Sequence, residues 1–253
     1  MKQRPSFPAR MDANSGVNAP SLAARRLAAP LAAAPQGLGM DSLAYRRRMV
    51  QLLHKQGVRD VAVLTAMGSV ERHRFVDTAL VNQSYEDTSL PIGLGQTISK
   101  PGIVSRMLEL LRNGAPGRLG RVLEIGTGCG YQAAVLGQLA EEVYSIERLR
   151  GLHEKARENL RPFRLTNVHL LFGDGMVGYD KGAPYAAIVA AAGGEAIPRA
   201  WVEQLAVGGR LVAPVLRPGA AGQALLVLDK TVDGVRQTLL EAVHFVPLKS
   251  GVA

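Results

Sequence analysis

Cysteine is nearly missing from this chain: Cys129 is the only one in 253 residues. That excludes an intramolecular disulfide and any metal site built from a cysteine cluster, and the expected setting is a reducing, cytoplasmic one. Long apolar runs are missing too. No stretch approaches the roughly 18 residues that a membrane span requires, and the alanine-rich segment near the start is broken by Pro30 and Pro35, so no membrane span is expected. Residues 1–40 have almost no aromatic or β-branched side chains. They can bury too little to offset their ordering entropy and are predicted to form a disordered, basic Ala/Pro-rich extension. Arg25 and Arg26 before an apolar stretch give only a trace of a targeting signal, since that stretch is proline-broken and internal. Acidic residues are scarce at the start: residues 1–60 hold 10 Lys+Arg against 3 Asp+Glu, and the remainder 20 against 18. The net charge of +9 therefore belongs to the head of the chain. Arg46, Arg47 and Arg48 read as the solvated face of a helix, and a nucleic-acid partner is not expected.

What is plentiful is apolar. A hydrophobic share of 47% over this length supplies a proper core. From Asp41, a plausible N-cap, the spacing of Leu43, Met49, Val50, Leu52 and Leu53 predicts a helix that stops at Gly57. A second helix is predicted over 60–67, and Val70, Phe75 and Val76 are candidates to dock this helical head on the body. Pro101 opens a helix over 101–111 with Ile103, Val104, Met107, Leu108 and Leu111 on one face. Strands are then predicted over 121–126, 142–147, 168–174, 185–192 and 209–215, separated by helical patterns over 131–139, 149–160 and 198–205. Two further apolar stretches at the end supply a late β-ribbon. The alternation indicates an α/β fold: a doubly wound, mostly parallel Rossmann-like sheet with a late antiparallel ribbon and an N-terminal helical head, in one domain over 41–253.

The loop after the first of these strands, "LEIGTGCGYQ", places Gly126, Gly128 and Gly130 in a βα turn where a ligand can approach the backbone. Glu147 closes the next strand, where an acidic side chain can accept both hydroxyls of a ribose. Asp174, in "GDG", ends the third strand on the same sheet edge. The loop has no lysine or arginine between Glu124 and Tyr131, which furnishes a phosphate poorly. A cofactor carrying a sulfonium and an ammonium would instead tolerate Glu124, Glu147 and Asp174 around it. The loop resembles the first motif of the class I S-adenosylmethionine-dependent methyltransferases.

Upstream lies "LPIGLGQTISK", residues 90–100, uncharged until Lys100 and interrupted by two glycines and a proline. Its lack of either helical or strand periodicity predicts a loop leading into the helix at Pro101. Together with "RFVD", "VLEIGTGCGYQ", "VYSIER", "GDG", "GGRLVAPV" and "FVPL", this stretch resembles, in the same order, the protein-L-isoaspartate O-methyltransferases over roughly residues 42–250. The resemblance implies methyl esterification, from S-adenosyl-L-methionine, of the free carboxylate of L-isoaspartyl (and D-aspartyl) residues in damaged proteins and peptides, which initiates repair. It gives Ser99 the active-site role, with Thr97 and Ile98 beside it at the acceptor. It assigns Glu124, Gly126, Thr127 and Gly128 to the cofactor loop, Glu147 to the ribose, and Asp174 with Gly175 to the adenine. Cys129 reads as a small loop filler, and Tyr131 and Trp201 as packing residues. The segment "YAAIVAAAGGEAIP" departs from the family's pattern of an aspartate followed by threonine or glycine and Ala-Ala-Pro. That departure bears on acceptor affinity more than on the cofactor.

The chemistry of such an acceptor needs no base, because a carboxylate is already ionised at pH 7. The five histidines are expected to lie away from both signature loops, and no metal is called for. Rival readings are methyl transfer to a small molecule or RNA, and a non-catalytic cofactor-binding module recruited to nucleic acid. The absence of an Asn-Pro-Pro-Tyr-like motif counts against methylation of base amino groups.

Overall fold

The computed structural model describes residues 42–217, 219 and 221–253; the predicted extension over 1–40 and the Asp41 cap lie outside them. Two helices, α1 (Ser42–Lys55) and α2 (Val61–Ser69), open the described chain. Asp60 stands just before α2 as its cap, its carboxylate accepting from the amides of Ala62 and Val63 at 2.9 and 3.1 Å. The same carboxylate pairs with the buried Arg112 at 2.8 Å, and Arg112 also donates to the carbonyls of Gly117 and Ala115. That pairing ties the head to the end of α3 (Pro101–Arg112). Val70 and Phe75 are buried in the same core cluster as Met107, Leu108 and Leu136, with Val76 packed against it.

The run "LPIGLGQTISK" departs from its predicted form. It is a hairpin, β1 (Leu90–Gly93) and β2 (Gln96–Ile98), paired antiparallel with Leu90 opposite Ile98. Gly93, Leu94 and Gly95 all have positive φ, so the glycines that erase the periodicity make the turn that joins the strands. Pro91 is tolerated because a two-stranded ribbon has free edges. The helix behind it begins as expected at Pro101, where Asp87 accepts from the Gly102 amide at 2.6 Å.

The main sheet runs β5-β4-β3-β6-β7-β8-β9. Its strands are β3 (Leu119–Ile125), β4 (Ala140–Glu147), β5 (Val168–Phe172), β6 (Tyr185–Ala190), β7 (Leu205–Leu216), β8 (Gln223–Thr231) and β9 (Gly234–Val243). The first five in spatial order are parallel, and β8 and β9 add antiparallel to β7. Between them come α4 (Tyr131–Leu139), α5 (Arg150–Leu160) and α6 (Arg199–Gln204). Successive residues of the central strands point to opposite faces: Val122, Ala187 and Val212 join one buried cluster, Leu123, Ile188 and Leu211 the other. Both faces are covered, which accounts for near-continuous apolar strands where a half-exposed sheet would alternate. Strand order reverses at β3, so the carboxyl ends of β3, β4 and β6 open a crevice of the kind that binds ligands in such sheets. Among the described residues no helix is long and apolar enough to cross a membrane.

Candidate active site

A cavity of about 460 Å³ occupies that crevice, within the range of small-molecule sites. Its floor is the glycine loop, residues 126–132, and the ends of β4 and β6; its roof is the hairpin, residues 92–99; one wall is the segment Val246–Lys249. The hairpin sits close on the loop. A Cβ added at Gly128 would lie 3.3 Å from Ile92 Cδ1, and one at Gly151 would lie 3.2 Å from Leu94 Cδ1. Lys155 on α5 fastens the arrangement, its Nζ donating to the Ile92 carbonyl and to Asp77, both at 3.0 Å.

Glu147 lines this cavity and is 5% exposed. Its two oxygens accept from the Gly128 amide and the Leu149 amide, both at 2.9 Å. A carboxylate offers about four lone-pair sites, so capacity for two hydroxyl donors is left, and the side chain is held by backbone of the same loop a cofactor would touch. Gly126, Thr127, Gly128 and Gly175 also line the cavity. Glu124 does not. It is fully buried beneath the loop, accepting from Ser145 Oγ, which in turn meets Thr127 Oγ1 at 2.6 Å. Burial pushes its carboxyl up to about 8, against the opposing bond from Ser145. Asp174 also lies off the cavity lining. Its carboxylate accepts from the Met176 amide at 2.8 Å and from the Gly251 amide at 2.6 Å. The residues around Gly251 are fastened further to the loop after β4, by Arg148 Nε to the Gly251 carbonyl and by paired backbone bonds of Ala253 with Arg148 and Arg150. Cys129 is buried, its thiol raised to about 11 by that burial, so it is no nucleophile at neutral pH. Trp201 is a packing residue whose indole donates to the Gly175 carbonyl at 2.7 Å. Tyr131 is buried as well, but it lines the cavity.

A second cavity of about 440 Å³ lies beside the first, lined by Ser89, Lys100, Ile103 and the segment Ala242–Val246 among others. The two share Thr97, Ser99, Ala191 and Val246. Ser99 thus stands where a group in one cavity would meet a group in the other, while Ile98 is buried under the hairpin and lines only the first. His244 lines the second cavity together with Ser99, which corrects the expectation that every histidine is remote from the signature loops. The sequence separation of 145 positions hid this, because β9 returns antiparallel to bring 242–248 back to the crevice. Residues 246–249 were not foreseen as lining residues, although "FVPL" was among the matching motifs; Ala191 and Ala192 belong to the departing segment, which was expected to border the acceptor. The departing segment has a packing reason. A Cβ at Gly193 would collide with the Gln223 amide, which accepts from the Phe245 amide at 2.7 Å; Gly193 itself exchanges backbone bonds with Val246 and Leu248 at 2.9 and 2.8 Å. Small residues there let the "FVPL" wall approach.

Comparison with known proteins agrees with this architecture. The sequence profile of the protein-L-isoaspartate(D-aspartate) O-methyltransferase family matches residues 44–253. The protein-L-isoaspartate O-methyltransferase of Methylibium petroleiphilum is 60% identical over 219 residues, covering 86% of this chain and 81% of its own. That of Leptothrix cholodnii is 58% identical, covering 86% and 77%. A solved structure of a protein-L-isoaspartate O-methyltransferase superposes with a TM-score of 0.73 at 27% identity, over 82% of this chain and 67% of the other. By sequence and by fold, the chain belongs to the protein-L-isoaspartate(D-aspartate) O-methyltransferase family.

Proposed function

We propose that this chain carries out its family's reaction at the junction of the two cavities, with S-adenosylmethionine held over the glycine loop and an isoaspartyl side chain entering from the second cavity. The observation that carries the reading is the position of Ser99 on both cavity walls. The first cavity suits the cofactor on its own chemistry: an oriented Glu147 for two hydroxyls, and a glycine loop without a basic side chain for phosphate. When bound, the cofactor supplies an electrophilic methyl group on a sulfonium.

The residues of the chain then have positional tasks. Glu147 binds hydroxyls, and Gly126, Thr127 and Gly128 shape the floor. Glu124 acts from beneath, keeping the Ser145 and Thr127 hydroxyls in place. Asp174 and Gly175 border the adenine end. Thr97 and Ser99 offer short hydroxyls to an acceptor carboxylate that is already ionised and needs no base, and Ile98 anchors them. A hydroxyl donor orients such a nucleophile without binding it as firmly as a fixed cation would. The hairpin roof excludes water from the transfer. The acceptors are isoaspartyl proteins and peptides, the catalytic domain spans 41–253, and the single cysteine fits a cytoplasmic setting.

Ser99→Ala tests the assignment. Turnover of an isoaspartyl peptide should fall about 10- to 1,000-fold, the range for one lost positioning or transition-state hydrogen bond, with cofactor affinity unchanged by calorimetry. Wild-type turnover in the variant would remove Ser99 from the transfer. Wild-type rates should also stay flat between about pH 6 and 8, since the acceptor titrates well below that range.

A further inference from the structure

Arg72 opens a short 3-10 turn, Arg72–Phe75, and its side chain is wholly buried. Burying a guanidinium is costly unless its hydrogen bonds are made. Arg112, the other deeply buried arginine, has a carboxylate partner in Asp60. Arg72 forms no ion pair among the described residues. Its Nε donates to the Ser84 carbonyl and its Nη2 to the Ser99 carbonyl, both at 2.8 Å. Its Cζ lies 4.7 Å from the centre of the Tyr131 ring, a cation–π distance. Tyr131 is the first residue of α4, directly behind the glycine loop, and lines the first cavity. One buried cation therefore bridges the end of the hairpin that carries Ser99 and the helix that carries the cofactor loop.

We propose that Arg72 is a positioning residue for methyl transfer: by gripping the Ser99 carbonyl while resting on Tyr131, it fixes where the Ser99 hydroxyl stands relative to the glycine loop. The proposal rests on the role given to Ser99 above. The choice of arginine follows from its planar fork, which can serve two carbonyls and stack on a ring at once; an ammonium keeps the charge and cannot do all three. Charge alone is not what the site requires.

The test uses the full chain as Arg72→Lys, Arg72→Gln, Ser99→Ala and the double variants, with an isoaspartyl peptide, cofactor affinity by calorimetry and folding by circular dichroism. Arg72→Lys should lower kcat about 10- to 100-fold while cofactor Kd moves less than about 3-fold, a misplacement effect and not a binding one. In the Ser99→Ala background the same change should lower kcat by less than about 3-fold, because residues acting through one another are not additive. Arg72→Gln, which retains a single donor nitrogen and no charge, should behave likewise. Losses that multiply in the double variants, unchanged kcat in Arg72→Lys, or failure of both Arg72 variants to fold would overturn the proposal and leave Arg72 a stability residue. Wild-type turnover with multiplying losses removes this proposal alone; no wild-type turnover removes the functional reading and this proposal with it.

Discussion

Glu124 and Glu147 sit at the carboxyl ends of neighbouring strands, yet their surroundings divide them. Glu147 receives an amide on each oxygen and borders the cavity, so its remaining lone pairs face the place where donors would bind. Glu147→Ala should weaken cofactor affinity by about 1–3 kcal/mol, the value of charge-assisted hydroxyl contacts; calorimetry showing equal affinity would take it out of the site. Glu124 is raised to about 8 by burial, so the folded chain keeps a proton that the unfolded chain releases near its ordinary value of about 4.3. The stability it contributes is full below that value and is lost as pH rises through about 8. Glu124→Gln keeps the neutral shape, so its denaturation midpoint should vary less between about pH 5 and 8 than the wild type's. An identical slope would mean that Glu124 is ionised in the fold. The acidic residue at the end of β4 was legible from spacing alone, because a strand end after a glycine loop fixes where the carboxylate goes. The bond from Asp174 to Gly251 spans 77 positions, and no local pattern announces it.

At the scale of elements the hairpin is the part whose form the sequence concealed: a loop was expected, and two paired strands stand there. Each strand of it is too short to display a period of two, and its turn residues look like loop. What makes it an element is pairing across Leu90–Ile98 and anchorage from outside, above all Lys155, which reaches the Ile92 carbonyl. Lys155 is 30% exposed and its Asp77 partner 62%, so the ion pair itself is worth little. Lys155→Met should therefore change stability by less than about 1 kcal/mol while amide exchange in residues 92–98 speeds up and peptide KM rises. Unchanged exchange would show that the hairpin is held by its packing on Gly128 and Gly151 alone. The helices and parallel strands were far more legible, because each carries enough apolar residues for its period to show. β7 starts at Leu205, ahead of the predicted 209, since small and glycine residues there give no alternation to read.

Over the whole molecule, the doubly wound order and the crevice at the β3 switch point follow from the alternation of strands and helices, and so does the place of the cofactor loop. The second cavity does not, because it is assembled from Ser89 and the hairpin, the residues after β6 and the return of β9, segments up to 157 positions apart that only the folded sheet brings together. The glycine end of the departing segment, Gly193 and Gly194, is likewise intelligible only beside Gln223 and residues 245–248. The central claim is that these two cavities meet at Ser99 so that an isoaspartyl carboxylate, and not an ordinary aspartyl one, receives the methyl group. The direct measurement offers the full chain a methyl-labelled cofactor with an isoaspartyl peptide and, separately, its normal aspartyl twin. Base-labile methyl ester on the isoaspartyl peptide alone is the predicted result; equal labelling of both peptides, or of neither, would contradict it.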